Sequence, residues 1–229
     1  MKPGFALTLS DDGIRLLHRA GNGWTPVGDA DLEDDALEDT LRFLRKTAAA
    51  LAPEGVTSKL VLPNSQILYT EIDAPGPGEQ ARRAQIEAAL AERTPYPIEE
   101  LAYDWSGTGE TVQVAAVTRL TLSEAEGFAA EHGFNPVCFV ANPDPEAFEG
   151  EPWFGLAESS TDLLPAGTSL ERDTQPVRVT ARRDQWQADG AQAGIGHDGA
   201  GEPDGEQARE ATLPDAEPAA EVEAEAEAE

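Results

Sequence analysis

The chain opens with alternating hydrophobic and polar positions, which predict a three-stranded antiparallel meander. Phe5, Leu7 and Leu9 alternate with small or polar residues, which is the period of a half-buried strand. Two segments with tight-turn chemistry, Asp11-Asp12-Gly13 and Gly21-Asn22-Gly23, separate this run from the next two. The three predicted strands cover residues 5–9, 14–20 and 24–27.

Three later segments have the apolar spacing or the end signals of amphipathic helices. The clearest apolar stripe covers residues 37–51 at three- and four-residue spacings, and Gly133 is the stop signal of the last helix. Two predicted capping boxes pair Asp35 with Glu38 and Thr121 with Glu124. The predicted helices cover 37–51, 79–93 and 121–133, and the strands around them cover 59–62, 66–74, 99–105, 111–119 and 134–141.

The element order is therefore βββ-α-ββ-α-ββ-α-β, which predicts an α/β fold with a mixed sheet and one core. We expect one domain over residues 1–150, closed by the turn Asn142-Pro143-Asp144-Pro145. Residues 151–187 are intermediate in composition, because Trp153-Phe154 adds aromatic weight and 175–183 resembles a short strand. We expect a partly ordered connector there, which either docks on the domain or pairs with a partner.

The last segment, residues 188–229, differs from the rest in composition. From Asp189 to Glu229 there are 13 acidic residues against one basic residue, and no aromatic residue. Such a segment buries too little apolar area to offset its chain entropy, so we expect an acidic disordered tail. The final Glu-Ala repeat resembles a linker cut short, which leaves a longer parent protein as one interpretation.

Charge and composition exclude several classes of function. The 229 residues include 44 acidic and 16 basic side chains, for a formal net charge of −28. We therefore expect no nucleic-acid binding and no basic membrane-surface patch. No apolar run approaches the length of a bilayer span, so we expect no direct membrane insertion. The single cysteine, Cys138, excludes an intrachain disulfide and a cysteine-based zinc site.

Candidate chemistry is sparse. The turn Asp11-Asp12-Gly13 has two interpretations: an ordinary hairpin turn, or the acidic-x-glycine turn that holds a nucleotide phosphate and its metal in actin- and sugar-kinase-type proteins. The run 194–199 matches G-x-G-x-x-G, but no predicted strand precedes it, so we reject dinucleotide binding. The three histidines have no ligand spacing. We expect no catalytic residues and no metal site.

The most specific segment covers residues 94–105. Thr94-Pro95-Tyr96-Pro97 stops the second helix, and a strand with alternating Leu101, Tyr103 and Trp105 follows. This corner resembles the helix-to-strand corner of the PilM and GspL families, the actin-like cytoplasmic proteins of type IV pilus and type II secretion assembly. The residues that carry the resemblance are Ala89-Leu90, Pro95 to Leu101, Tyr103-Asp104 and, in the preceding strand, Leu68 to Pro75.

The resemblance covers residues 4–145 and implies the first lobe of an actin-like (ribonuclease H-like) fold. It implies a cytoplasmic location, at the inner membrane face, and partners that are other assembly-platform proteins. An actin-like ATPase needs a second lobe, which the acidic segment after residue 150 cannot supply, so we expect a non-catalytic scaffold without cofactor, or the N-terminal part of a larger protein. The candidate partner-binding residues are Pro95, Tyr96, Pro97, Trp153 and Phe154.

Two alternatives remain open at this point. In one, the protein binds ATP and magnesium through Asp11, Asp12 and Gly13, with a second lobe from another chain. In the other, an unrelated acidic adaptor binds basic partners through the tail at 188–229.

Overall fold

A computed structural model describes residues 1–21, 23–165 and 167–179. The predicted acidic tail and the end of the predicted strand at 175–183 lie outside the described residues.

Six strands form the first sheet, in the order β3-β2-β1-β4-β8-β9. The opening meander is antiparallel, β4 and β8 run parallel to β1, and β9 runs antiparallel to β8, so the sheet is mixed. The strands are β1 (Phe5–Ser10), β2 (Gly13–Ala20), β3 (Gly23–Ala30), β4 (Ser58–Leu62), β8 (Pro136–Ala141) and β9 (Trp153–Leu156).

The other three strands form a small antiparallel sheet in the order β5-β7-β6. They are β5 (Leu68–Asp73), β6 (Leu101–Ser106) and β7 (Thr111–Thr118), and helix α2 (Glu79–Arg93) packs on them. The core between α2 and this sheet consists of Ile72, Ile86, Leu90, Val112, Val114 and smaller neighbours. The single mixed sheet that was expected is therefore divided in two, because β5 pairs with β7 and not with β4.

Both faces of the first sheet carry buried apolar residues. Helices α1 (Leu37–Leu51) and α3 (Arg119–Glu131) contribute to the main core on one face, with residues such as Phe5, Leu41 and Leu60. Alternate residues of the same strands point to the other face. There Ala6, Leu17, Trp24, Val61, Val140 and Val177 form a second apolar patch.

The fold class and the element order are confirmed through residue 141. The bounds of α1 and α2 match the prediction, and Gly133, with φ of +72°, follows α3. Both capping predictions were wrong. Before α1, the backbone amide of Ala36 donates to the side chain of Asp34 and not to that of Asp35. Helix α3 begins at Arg119, before the predicted Thr121, because the side chain of Thr118 accepts a hydrogen bond from the Thr121 amide and caps the helix.

The sheet continues beyond Asn142–Pro145, where the domain was expected to close. Strand β9 pairs with β8, and Phe148, Phe154 and Ala157 belong to the main core. A four-residue helix, α4 (Ser160–Leu163), follows. The described part of 151–187 thus packs on the domain. Within the described residues, no helix is long and apolar enough to cross a membrane.

Candidate protein-binding site

The proline corner at the end of α2 is exposed, as a protein-binding element requires. Pro95, Tyr96 and Pro97 are all exposed, and Tyr96 keeps 45% of its surface. The hydroxyl of Thr94 lies 3.0 Å from the Leu90 carbonyl and 3.2 Å from that of Tyr96, and its proton is donated to one or shared between both, which fixes the chain as it leaves the helix. The corner is therefore a rigid, accessible connector.

A polar and aromatic groove of about 450 Å³ lies between the second sheet and β9. Strand β6 and the first turns of α2 form one wall, and β9 with residue 172 forms the other. The lining residues are Glu79, Arg83, Tyr103, Asp104, Trp105, Trp153, Phe154, Gly155 and Arg172. We call this the Arg–aromatic groove.

Two arginines stack on the aromatic rings of the groove. The Arg83 guanidinium lies 4.8 Å from the centroid of the Trp105 ring, and that of Arg172 lies 5.2 Å from the Trp153 ring. Tyr103 and Trp105 stack on each other at 6.3 Å. Cation–π contacts of this kind hold long side chains in place, so the groove presents an ordered surface.

Asp104 joins the two walls of the groove. Its carboxylate accepts the backbone amide of Trp153 at 2.9 Å and lies 3.6 Å from the Arg172 guanidinium. Burial raises the pKa of Asp104, while the Trp153 amide and Arg172 act in the opposite direction. Burial likewise raises the pKa of Tyr103 to about 12, and its hydroxyl donates to Glu87.

The structure brings only part of the predicted partner-binding set together. Trp153 and Phe154 both line the groove, but Trp153 is half-buried, whereas Phe154 is only 6% exposed and packs mainly in the main core. Arg83 lies about 15 Å along α2 from Arg93, at 1.5 Å per residue, and the proline corner follows beyond that end of the helix. The corner and the groove are therefore separate surfaces.

Arg83 and Arg172 were not singled out from the sequence, although both stack on aromatic residues that were. Nothing local distinguishes them from the other basic residues. Their partners are distant in sequence, since Arg83 precedes Trp105 by 22 residues and Arg172 follows Trp153 by 19 residues. The alternation of Tyr103 and Trp105 along one strand was the available signal.

The turn at Asp11-Asp12-Gly13 is an exposed hairpin turn between β1 and β2. The carboxylate of Asp11 accepts a hydrogen bond from the hydroxyl of Ser65 at 3.1 Å. The cavity beside the turn, of about 420 Å³, is lined by Asp12, Asp29 and Asp31, and Arg15 is bound to Asp29. Three carboxylates around one paired arginine make this cavity predominantly acidic.

A buried ion cluster on the second face of the first sheet was not predicted. Lys59 is 1% exposed, and its amine donates to Glu151 at 2.5 Å and to Asp173 at 2.8 Å. Arg19 and Lys2 also bind Asp173. Burial raises the pKa of Glu151 to about 7, and it outweighs the hydrogen bond and charge of Lys59, which act in the opposite direction.

Among the described residues, no group of three or more histidine, cysteine or carboxylate side chains has the arrangement of a metal site. Cys138 is buried in β8, where burial raises the pKa of its thiol to about 12.

No family model and no curated protein matches the chain. Among solved structures, the chain is similar to the cytoplasmic domain of EpsL, an inner membrane component of the type II secretion system of Vibrio cholerae. Sequence identity is 14% and the TM-score is 0.47, over 83% of this chain and 95% of that chain.

The chain is also similar to a PilM–PilN type IV pilus biogenesis complex, at 17% identity and a TM-score of 0.47. That match covers 62% of this chain and 48% of that chain, so this chain spans about half its length. The resemblance to these two systems, predicted from residues 94–105, is thus found in structure as well.

Proposed function

We propose that this protein is a non-catalytic binding module of a pilus- or secretion-type assembly platform, and that it holds a partner segment in the Arg–aromatic groove. The groove itself is the observation that carries the proposal. The assembly context is supported by the resemblance of residues 94–105, and with it we propose a location at the cytoplasmic face of the inner membrane.

The composition of the groove suits protein recognition. Trp, Tyr and Arg are the residues most often found at the energetic centres of protein interfaces. Here Tyr103, Trp105 and Trp153 are half-buried, so their rings are supported from below and keep a face or edge to solvent. Because the arginines are already stacked on them, little side-chain entropy is lost on binding.

The charges of the groove indicate the chemistry of the partner segment. Arg83 lies 3.8 Å from Glu79 on the same helix, and Arg172 lies 3.6 Å from Asp104, so the lining is balanced in charge. Stacked guanidinium groups favour planar partner groups, such as aromatic rings, peptide planes and carboxylates. We therefore propose an extended segment with an aromatic or proline anchor.

A capture experiment from membrane extract of the source cells tests the proposal. The full chain is expected to capture an assembly-platform component, and Trp105→Ala together with Arg83→Ala is expected to reduce capture at least 10-fold. Arg42→Ala is the matched control, because Arg42 is exposed on α1 and pairs only with Asp39 three residues before it. Capture that is indifferent to the groove variants contradicts the proposal.

Deletion of residues 188–229 separates this proposal from the acidic-adaptor alternative. If the folded domain binds the partner, capture survives the deletion. If the tail binds it, capture is lost while the groove variants have no effect.

A further inference from the structure

The outer side of β3 is the edge of the first sheet, and a later segment of the chain reaches this edge at one residue, Val179. Strand β3 pairs with β2 on one side. On the other side, Trp24 forms a single parallel bridge with Val179. We call residues 173–179 the strap.

The strap begins with a carboxylate held by three cations. Asp173 accepts from Lys2 at 2.9 Å, from Lys59 at 2.8 Å, and from both terminal nitrogens of Arg19 at 3.2 and 2.7 Å. We call Lys2, Arg19 and Lys59 the cation cradle. Such bidentate and charge-assisted bonds are the strong ones in proteins.

The cradle is built and oriented by the sheet. The Arg19 side chain donates to the carbonyl of Pro3, and its guanidinium lies 4.2 Å from the Trp24 ring centroid. The Lys59 amine lies 5.0 Å from the same ring. Lys59 and Arg19 sit on strands β4 and β2, so their positions do not depend on the strap.

The second contact of the strap is apolar. Val177 is 6% exposed and packs in the patch that includes Trp24 and Val61. Between the two contacts, Thr174 and Gln175 are exposed, and Val179 at the bridge keeps 48% of its surface. The strap thus makes two side-chain contacts, four residues apart, and one bridge.

An open cavity lies beside the strap. A cavity of about 490 Å³ lies between the strap and β3, lined by Lys2, Arg19, Trp24 and Arg178 among others. In a chain of net charge −28, this concentration of cations is unusual. It favours a ligand that carries carboxylates.

We propose that the cation cradle and the apolar patch around Trp24 form a docking site for an extended acidic segment of a partner protein, and that the strap occupies this site until the partner displaces it. The segment carries Asp or Glu four residues before a β-branched apolar residue, as Asp173 and Val177 do. As in the strap, its carboxylate binds in the cradle and its apolar residue packs beside Trp24, and the residues that follow reach the outer side of β3 at Trp24. This site lies outside the Arg–aromatic groove and goes beyond the function proposed above.

A labelled peptide with the sequence of residues 171–179 serves as the probe. Fluorescence anisotropy measures its binding to the full chain, to Asp173→Asn, and to Asp173→Asn combined with Val177→Thr. Binding to either strap variant is expected to be at least 10-fold tighter than to the wild type, because the strap competes in cis. Gln175→Ala is the matched control, since Gln175 is exposed between the two contacts, and it is expected to bind as the wild type does.

Two further measurements give the peptide result its meaning. A peptide with Asn in place of its Asp is expected to bind at least 10-fold more weakly, and added salt is expected to weaken the original peptide. In the wild type, excess peptide is expected to raise amide hydrogen exchange across 173–179, a readout that needs no variant. Any one of three results overturns the proposal. They are folded strap variants that bind the peptide no tighter than the wild type does, equal binding of the Asn peptide and the original peptide, and hydrogen exchange that the peptide leaves unchanged.

Discussion

Lys59 shows how much of this fold depends on contacts that no local pattern reveals. The run 59–62 was predicted as a strand with both faces apolar, and β4 is indeed fully buried. A lysine there is tolerated because Glu151 and Asp173, which are 92 and 114 residues away, neutralise it. The strand was predictable from its neighbours in sequence, whereas its ion partners were not.

Removing the lysine is expected to be costly at a pH above about 7, where Glu151 is ionised. There Lys59→Met leaves the Glu151 carboxylate buried without its cation, which typically costs about 3–5 kcal/mol. The double variant with Glu151→Met removes both charges, and it is expected to recover at least about 2 kcal/mol, since Asp173 keeps Lys2 and Arg19. Urea denaturation measures both, and a single-variant cost below about 1 kcal/mol contradicts this account of the cluster.

The two acids of the cluster are expected to have opposite effects on the pH dependence of stability. Burial raises the pKa of Glu151 from 4.5 to about 7, so between these values the folded state holds a proton that the unfolded state has released. Stability therefore falls as pH rises through this window, by at most about 1.4 kcal/mol per pH unit. Glu151→Gln is expected to flatten that fall in denaturation curves measured across the window.

For Asp173, burial alone would raise the pKa, but hydrogen bonds from Arg19, Lys2 and Lys59 outweigh it and hold the pKa well below its usual 3.8. Its stabilisation is fully present above the unfolded pKa and is lost as pH falls below it. Asp173→Asn is therefore expected to be less stable than wild type at neutral pH and to approach it in strong acid. Equal differences at both pH values would contradict this assignment.

At the scale of the element, Gly13 is expected to be required for the close approach of the chain at the hairpin between β1 and β2. A Cβ on Gly13 would lie 2.5 Å from the backbone carbonyl oxygen of Ala30, so Gly13→Ala forces the strands apart. We expect a loss of about 1–3 kcal/mol, as for other overpacked sites. Asp11→Ala is the control, because Asp11 is exposed and accepts one hydrogen bond, and it is expected to leave the melting temperature nearly unchanged.

The same pair of variants tests the nucleotide alternative. Calorimetry with ATP and magnesium is expected to show no binding to the wild type, in which case the turn serves only to join two strands. Micromolar binding that Asp11→Ala abolishes would support the phosphate-binding interpretation of Asp11, Asp12 and Gly13.

The elements were more predictable than their arrangement. Helix α2 has the predicted bounds because two prolines and a glycine delimit it within one local window. The division of the strands between two sheets was not predictable, because it depends on whether β5 pairs with β4 or with β7, which is distant in sequence. The groove follows from that choice, so only its aromatic residues, and not its arginines, were visible in the sequence.

At the scale of the whole molecule, the net charge of −28 opposes compaction. Added salt screens exposed charges but acts little on the buried cluster around Lys59. We therefore expect the melting temperature to rise by a few degrees between low and moderate salt. Deleting residues 188–229, with 13 acidic residues and one basic residue, is expected to reduce this rise, and a melting temperature that falls with salt contradicts the account.

Two adjacent residues, Arg172 and Asp173, face different sites. Arg172 stacks on Trp153 in the groove, and Asp173 lies in the cation cradle. If displacement of the strap also moves Arg172 off Trp153, the two sites are coupled, and reciprocity then requires that a ligand in the groove changes the affinity of the cradle by the same factor. Binding of one partner would then change the affinity for the other through the peptide bond that joins these two residues.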